Sequence, residues 1–298
     1  MRIFDCFMYF DEEIVLDTRL NYLDKYVDYF VIIESCFTHR GEERKLNFDI
    51  KKYEKFKNKI IYKVYDQIPE KIEKVFENDN EAIKSGKYIM NALYRENGQR
   101  NYISEGIKEA NDEDIIIVSD VDEIPNLSKI ALKELKEKII LFKQDMFYYK
   151  FNLKLPNMEW TGTKACKKKN FINAQWLRNI KDRKYPFYRL DVLFSKSKYI
   201  DVKIVKDGGW HFSNIKNAKE IKYKLKSYLH HRDYEVEELG KDKIEKLIKM
   251  NKTIYDMFGD KTTKKYGDDK RKELEKFDVS QLPTYIQKNL NKFKEWID

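Results

Sequence analysis

Ser119-Asp120-Val121-Asp122-Glu123-Ile124-Pro125 follows an unbroken apolar run, Ile115 to Val118. Carboxylates at i and i+2 on a strand point to the same side, so Asp120 and Asp122 are expected to converge on one point. Two hard oxygen donors there suit Mg²⁺ or Mn²⁺, shared with the oxygens of a diphosphate. The bare triplet says little, since acids make up 51 of the 298 residues. Its position says more. A strand that is apolar on both faces lies inside a sheet, and open α/β sheets bind ligands at the carboxyl ends of such strands. Asp112-Glu113-Asp114 has the same spacing but precedes the run, and is expected in a solvated turn.

Gly208-Gly209-Trp210-His211-Phe212-Ser213 is the second candidate, placed just after a strand-like DVKIV. Glycines at 208 and 209 permit close approach of the backbone to a ligand. Trp210 offers a flat face for a sugar ring, and His211 an imidazole to complete a metal shell with Asp120 and Asp122. Taken alone, His211 reads equally as a core histidine bonded internally. Three further features are weaker. Glu34, at the end of YFVIIES, either accepts hydrogen bonds from a nucleoside or caps a turn. Arg100 either pairs with a phosphate or forms a surface ion pair. Trp160, in WTGT, either contacts a sugar or anchors a loop.

Those residues need a frame. Arg2–Phe10, Tyr29–Glu34, Lys59–Tyr65 and Asp114–Ser119 read as strands. Leu16, Leu20, Leu23 and Val27 share one helical face, and Ser128 is placed to cap a helix carrying Leu132, Leu135 and Ile139. Strands alternating with helices predict an α/β fold with a mainly parallel sheet. MFYYKFNLKL and YRLDVLFSKSKYIDVKIV predict additional, antiparallel strands. Beyond Asn214 charged helical patterning takes over. The expected organisation is a catalytic domain over residues 1–215 with a helical extension, 216–298, packed on it.

Composition narrows the function. The formal charge is +9, but 49 of the 60 basic residues are Lys and only 11 are Arg. That balance disfavours nucleic acid as a partner, because Arg is the better fork for phosphates and bases. No apolar run approaches the roughly 20 residues that span a bilayer. Three scattered cysteines, Cys6, Cys36 and Cys166, form neither a metal pattern nor a disulfide framework, which points to a cytoplasmic protein, with peripheral membrane contact left open. P-loop, G-x-G-x-x-G, G-x-S-x-G and H-E-x-x-H patterns are absent.

FDCFMYFDEE with Arg19-Leu20, YFVIIES with Thr38 and Gly41, QRNYISEGI, DIIIVSDVDEIP and GGWHFS occur in one order. In that order, between residues 3 and 215, they resemble glycosyltransferase family 17. The resemblance implies a GT-A-like fold, a UDP-sugar donor (UDP-N-acetylglucosamine), a glycan acceptor, a divalent metal and inversion at the sugar carbon. By position, Asp120 and Asp122 match its metal–diphosphate motif, and Gly209 to Ser213 a later one. Inversion needs a base on the acceptor side, built in this fold by the second half of the chain. Asp207 is the assignment, with Glu159 and Asp191 next and an ordinary turn acid as the alternative for Asp207. The competing function is a carbohydrate- or nucleic-acid-binding protein without catalysis.

Overall fold

Strands with no wet side must be covered on both faces, and Ile3–Tyr9 (β1), Tyr29–Ser35 (β2) and Ile115–Asp120 (β4) are buried along nearly their whole length. They form the centre of a seven-stranded sheet in a computed structural model. The structure describes residues 1–183, 185–186, 188–228, 231–236, 239–255 and 271–298. The sheet order is β10-β6-β9-β4-β1-β2-β3. The outer members are Ile60–Tyr65 (β3), Ile139–Phe142 (β6), Lys164–Lys167 (β9) and Val202–Val205 (β10). β1, β2, β3 and β4 are mutually parallel, while β9 runs antiparallel between β4 and β6. The fold is α/β, and the mainly parallel sheet is as expected.

Helices cover this sheet. In Glu13–Leu23 (α1) the residues Leu16, Leu20 and Leu23 are fully buried, and Val27 follows them into the same core. Glu81–Asn101 (α2), Ile103–Gly106 (α3) and Ala174–Asn179 (α4) lie toward the other face, where Ile103, Ala174 and Leu177 join β1, β2 and β4 side chains in a second core. A smaller sheet, β12-β8-β7-β11-β5, is built from Glu123–Pro125 (β5), Gln144–Tyr148 (β7), Leu153–Trp160 (β8), Gly209–Ser213 (β11) and Glu275–Lys276 (β12).

Two expected elements take other forms. The segment after Ser128 makes only 3₁₀ turns, Leu127–Lys129 and Leu132–Glu134, before β6. Pairing of β6 with both β9 and β10 overrides its modest helical preference. YRLDVLF is likewise no strand, and Leu190–Leu193 (α5) is a short helix.

The chain beyond residue 215 is more mixed than a helical extension. Ala218–Ser227 (α6) starts with a capping box between Asn217 and Glu220. His231–Val236 (α7) and Lys241–Lys249 (α8) follow, with Ile221, Leu225, Ile244 and Leu247 packing on Met146, Tyr148 and Leu155 of the smaller sheet. Then β12 adds a strand beside β8, and Thr284–Lys288 (α9) packs on α1. Leu282, Ile286 and Phe293 therefore sit in the main core. No helix of the described residues is long and apolar enough to cross a membrane.

Candidate active site

β4 ends at Asp120, and the chain turns through Val121 and Asp122 before β5. The two carboxylates thus do not share one strand, and the turn, not strand alternation, brings both to one cleft. A fully buried guanidinium sets that turn. Arg19 on α1 pairs with Asp5 of β1 through both nitrogens, at 2.6 and 2.8 Å. Its Nη1 donates to the carbonyls of Asp120, Val121 and Glu123 at 2.9–3.1 Å, and its Nη2 to Ser119 Oγ. A lysine could not span these acceptors, since the planar fork supplies five fixed donors.

The second motif docks on the first. β11 pairs antiparallel with β5, His211 opposite Glu123, and Phe212 N–H donates to the Asp122 carbonyl at 2.7 Å. This register places His211 Nε2 3.6 Å from Asp122 Oδ1. Gly209 makes the pairing possible. Its φ is +134°, and a Cβ there would lie 2.1 Å from the Ile124 carbonyl oxygen.

Cations hold the remaining acids. Asp120 receives Arg178 of α4 at 2.9 Å and Arg100 of α2 at 3.2 Å. Arg178 also grips buried Glu123 at 2.5 Å, and Arg100 bonds Glu96 and Gln175. Lys224 of α6 stands 3.5 Å from Asp122 and 3.3 Å from Glu12. Burial would push Asp122 up, but Lys224 and His211 hold it well below the usual carboxylate range. The surrounding protein also disfavours charge on Asp120, and Arg178 with Arg100 outweighs it. At His211 burial opposes the imidazolium, and Asp122 lifts the pKa above its ordinary value. Lys224 is raised the same way, burial being overcome by Glu12 and Asp122.

The cleft encloses about 180 Å³ at the carboxyl ends of β1, β2 and β4. Phe10, Thr38, His39, Asp120, Asp122 and Lys224 are among the residues that line it. Gln99 donates Nε2 to the Ile33 carbonyl, so its Oε1 accepts from His39 Nε2–H at 3.1 Å. Nδ1 of His39 therefore carries the lone pair, and burial keeps the ring neutral by lowering its pKa.

Several expected site residues do other work. Glu34 is buried and saturated by Arg44, Tyr62 and the N–H groups of Asn47 and Phe48, so it braces a loop and cannot reach a nucleoside. Trp210 is buried edge-on against Tyr22, its Nε1 donates to the Gln281 carbonyl, and it lines a cleft other than the one that holds Asp120 and Asp122. Gly209 serves strand pairing. Trp160 donates to Glu123 at 2.6 Å and packs against His211, behind the cleft. Asp207 is exposed in a left-handed turn (φ 48°) and lines a different cleft, with Asn126, Trp210 and Gln281. Asp191 pairs with Arg189 and Lys198 on α5, and Glu159 lies at the rim of a third cleft. The control motif is partly solvated only: Asp114 is buried against Arg2, and Glu113 is exposed. Arg178, Lys224 and His39 were not picked out from the sequence, and Arg19 was picked out without a role; nothing in local spacing separates one Lys or Arg of this chain from the rest.

Do these residues suit a divalent cation? Asp122 and His211 form a two-donor corner, and among the described residues no group of three or more His, Cys, Asp or Glu forms a metal cage. That fits Mg²⁺ or Mn²⁺, which bind through one or two protein donors together with substrate phosphates. It would not fit a structural zinc, which needs four protein ligands.

Comparison with known proteins adds the family. Curated proteins give no match to the chain. The family model for glycosyltransferase family 17 matches residues 1–297, so the likeness runs past residue 215 and takes in α6, Lys224 and the returning tail. With a match across essentially its whole length, the chain belongs to glycosyltransferase family 17.

Proposed function

We propose that this glycosyltransferase moves N-acetylglucosamine from UDP-N-acetylglucosamine to a glycan acceptor, with Mn²⁺ or Mg²⁺ and with inversion at the sugar carbon. The observation that carries the reading is the Asp122–His211 corner, held by the β5–β11 register beside Asp120 in a cleft at the sheet's carboxyl edge. A cation bound at that corner would neutralise charge on the departing diphosphate.

The chain's own residues prepare that step. Arg19 fixes the carbonyls of the turn, so Asp122 is oriented before the donor arrives. Asp120, gripped by Arg100 and Arg178, is the less available ligand and supports the turn through those arginines. Lys224, 3.5 Å from Asp122, supplies a positive charge beside the same carboxylate. His39 also lines the cleft, and its Nδ1 is an acceptor of the kind the N3–H of uracil needs, a group cytosine lacks. Inversion requires one in-line displacement: the acceptor oxygen bonds to the sugar carbon as the carbon–diphosphate bond breaks, and the acceptor's proton leaves to a base.

Calorimetry with UDP and Mn²⁺ tests the reading. Asp122→Ala should bind UDP–Mn²⁺ at least about tenfold more weakly, as expected for loss of one charge-assisted ligand. Unchanged affinity would remove Asp122 from the donor site. Product analysis across a panel of nucleotide sugars then fixes the donor, since released UDP marks transfer.

A further inference from the structure

Between α4 and β10 the chain makes a loop that no part of the catalytic reading uses. Its base is closed by Lys181 N–H to the Ser197 carbonyl at 2.8 Å and by Trp176 Nε1 to the Lys196 carbonyl at 2.8 Å. Val192 is buried and anchors it from within. Tyr185 sits among Arg183, Arg189 and Lys198, each 5.8–5.9 Å from its ring, and Asp191 binds Arg189 and Lys198. The loop is thus internally organised, as compact surface loops with close ends are.

The loop and its flanks leave large apolar and basic side chains exposed together. Phe194 is 89% exposed and Tyr188 69%, and beside the base Ile172 is 63% and Ile200 38% exposed. Lys181, Arg183, Arg189 and Lys196 are exposed in the same stretch, and among the loop's described residues Asp182, Asp191 and Asp201 oppose that charge. Large apolar side chains left this open, ringed by cations, mark an interaction surface.

We propose that this loop docks the enzyme on an anionic lipid bilayer, with Phe194 and Tyr188 entering the interface and the basic ring meeting lipid headgroups. Charge selects the occupant. A second copy of the chain would bring the same basic ring against itself, a like-charge contact. Single-stranded nucleic acid uses aromatic faces, and exposed aliphatic Ile172 and Ile200 give it nothing to stack. Lipid accepts aliphatic and aromatic groups alike and attracts each nearby Lys or Arg. The loop starts three residues after Arg178, which touches Asp120, and a cleft lined by Trp160, Arg178, Lys181, Asp182 and Ser197 lies at its foot. Docking therefore holds the Asp120 side of the catalytic edge close to the bilayer, where an acceptor carried on lipid would be presented.

Co-sedimentation with vesicles is the test. The full chain should bind equimolar phosphatidylcholine–phosphatidylglycerol vesicles, bind phosphatidylcholine alone far more weakly, and release at high salt. Phe194→Ser combined with Tyr188→Ser should weaken binding to the anionic vesicles about tenfold or more, the loss expected for one or two apolar side chains, at an unchanged melting temperature. As an independent readout, Phe194→Trp should gain emission that shifts blue on binding and is quenched by brominated lipid. Equal binding by the double Ser variant, emission from the Phe194→Trp variant that brominated lipid leaves unquenched, or retention by single-stranded oligonucleotide in place of vesicles would each overturn the proposal.

Discussion

Arg19→Met removes the group on which the Asp120–Glu123 turn is built. Three backbone carbonyls, one hydroxyl and the carboxylate of Asp5 lose their donor together, all in the interior. Removing one partner of a buried ion pair costs about 3–5 kcal/mol, because the remaining charge stays desolvated. The unfolding entropy of a chain of 298 residues is roughly 0.6 kcal/mol per degree near the midpoint. A loss of about 4 kcal/mol thus lowers Tm by roughly 6 °C. Differential scanning fluorimetry measures it directly. Adding Asp5→Asn to Arg19→Met removes the stranded charge, so the double variant should lose less than the two single losses combined, by about 1–3 kcal/mol. A fall under about 2 °C for Arg19→Met, or strict additivity in the cycle, would refute the claim that this pair supports the turn.

Other expectations follow from individual contacts. Gly209→Ala forces a side chain into a left-handed backbone and against the Ile124 carbonyl, and should cost at least about 2 kcal/mol by thermal melting. Trp210→Phe removes the Nε1 bond to Gln281 and shrinks a buried ring, so stability should fall by at least about 1 kcal/mol while calorimetry finds UDP–Mn²⁺ affinity unchanged. Lys164 is buried, donates to the carbonyls of Arg178 and Ile180, and has its pKa pushed down to about 8 by burial, from an ordinary 10.5. The unfolded chain therefore holds that proton up to about pH 10.5 while the folded chain releases it near 8. Within this window the unfolded state binds more protons, so stability rises with pH, and the cost of the buried charge is complete only below it. Lys164→Met should flatten that rise, and an identical pH profile in the variant would show that Lys164 stays charged.

β1, β2 and β4 were legible because their continuous apolar runs have no alternative to burial on both faces. β1, β2, β3 and β4 each fall within a residue or so of their expected bounds. The helix expected after Ser128 failed for the opposite reason: its few leucines gave a helical period, but β6 found two partners in the sheet. At the site, Asp122 and His211 stood out by local signals, a turn after a buried strand and a glycine-led strand, and the structure sets them 3.6 Å apart. Trp210 and Glu34 suit a ligand by type, yet Trp210 lines a separate cleft and the oxygens of Glu34 are taken up by Arg44, Tyr62 and two backbone N–H groups. Residue type states what a side chain can do, and only packing decides whether any face of it is left to do so.

The groups the sequence could not supply share one property. Arg19, Arg178 and Lys224 reach the turn from α1, α4 and α6, at separations of about a hundred, sixty and a hundred residues. Each is a long cation on a helix, the commonest surface feature of this lysine-rich chain, and nothing within several residues marks it as a partner of the turn. What distinguishes them is the acidic turn itself. Asp120, Asp122 and Glu123 within four residues, partly out of water, would be too costly without cations from several directions. A buried D-x-D-E at the end of an apolar strand therefore implies its cationic surroundings even where their addresses cannot be read. The same argument explains why α6, beyond residue 215, is part of the catalytic edge: without Lys224, Asp122 and Glu12 would face each other's charge with Lys216 beside Glu12 and His211 beside Asp122 as the remaining relief.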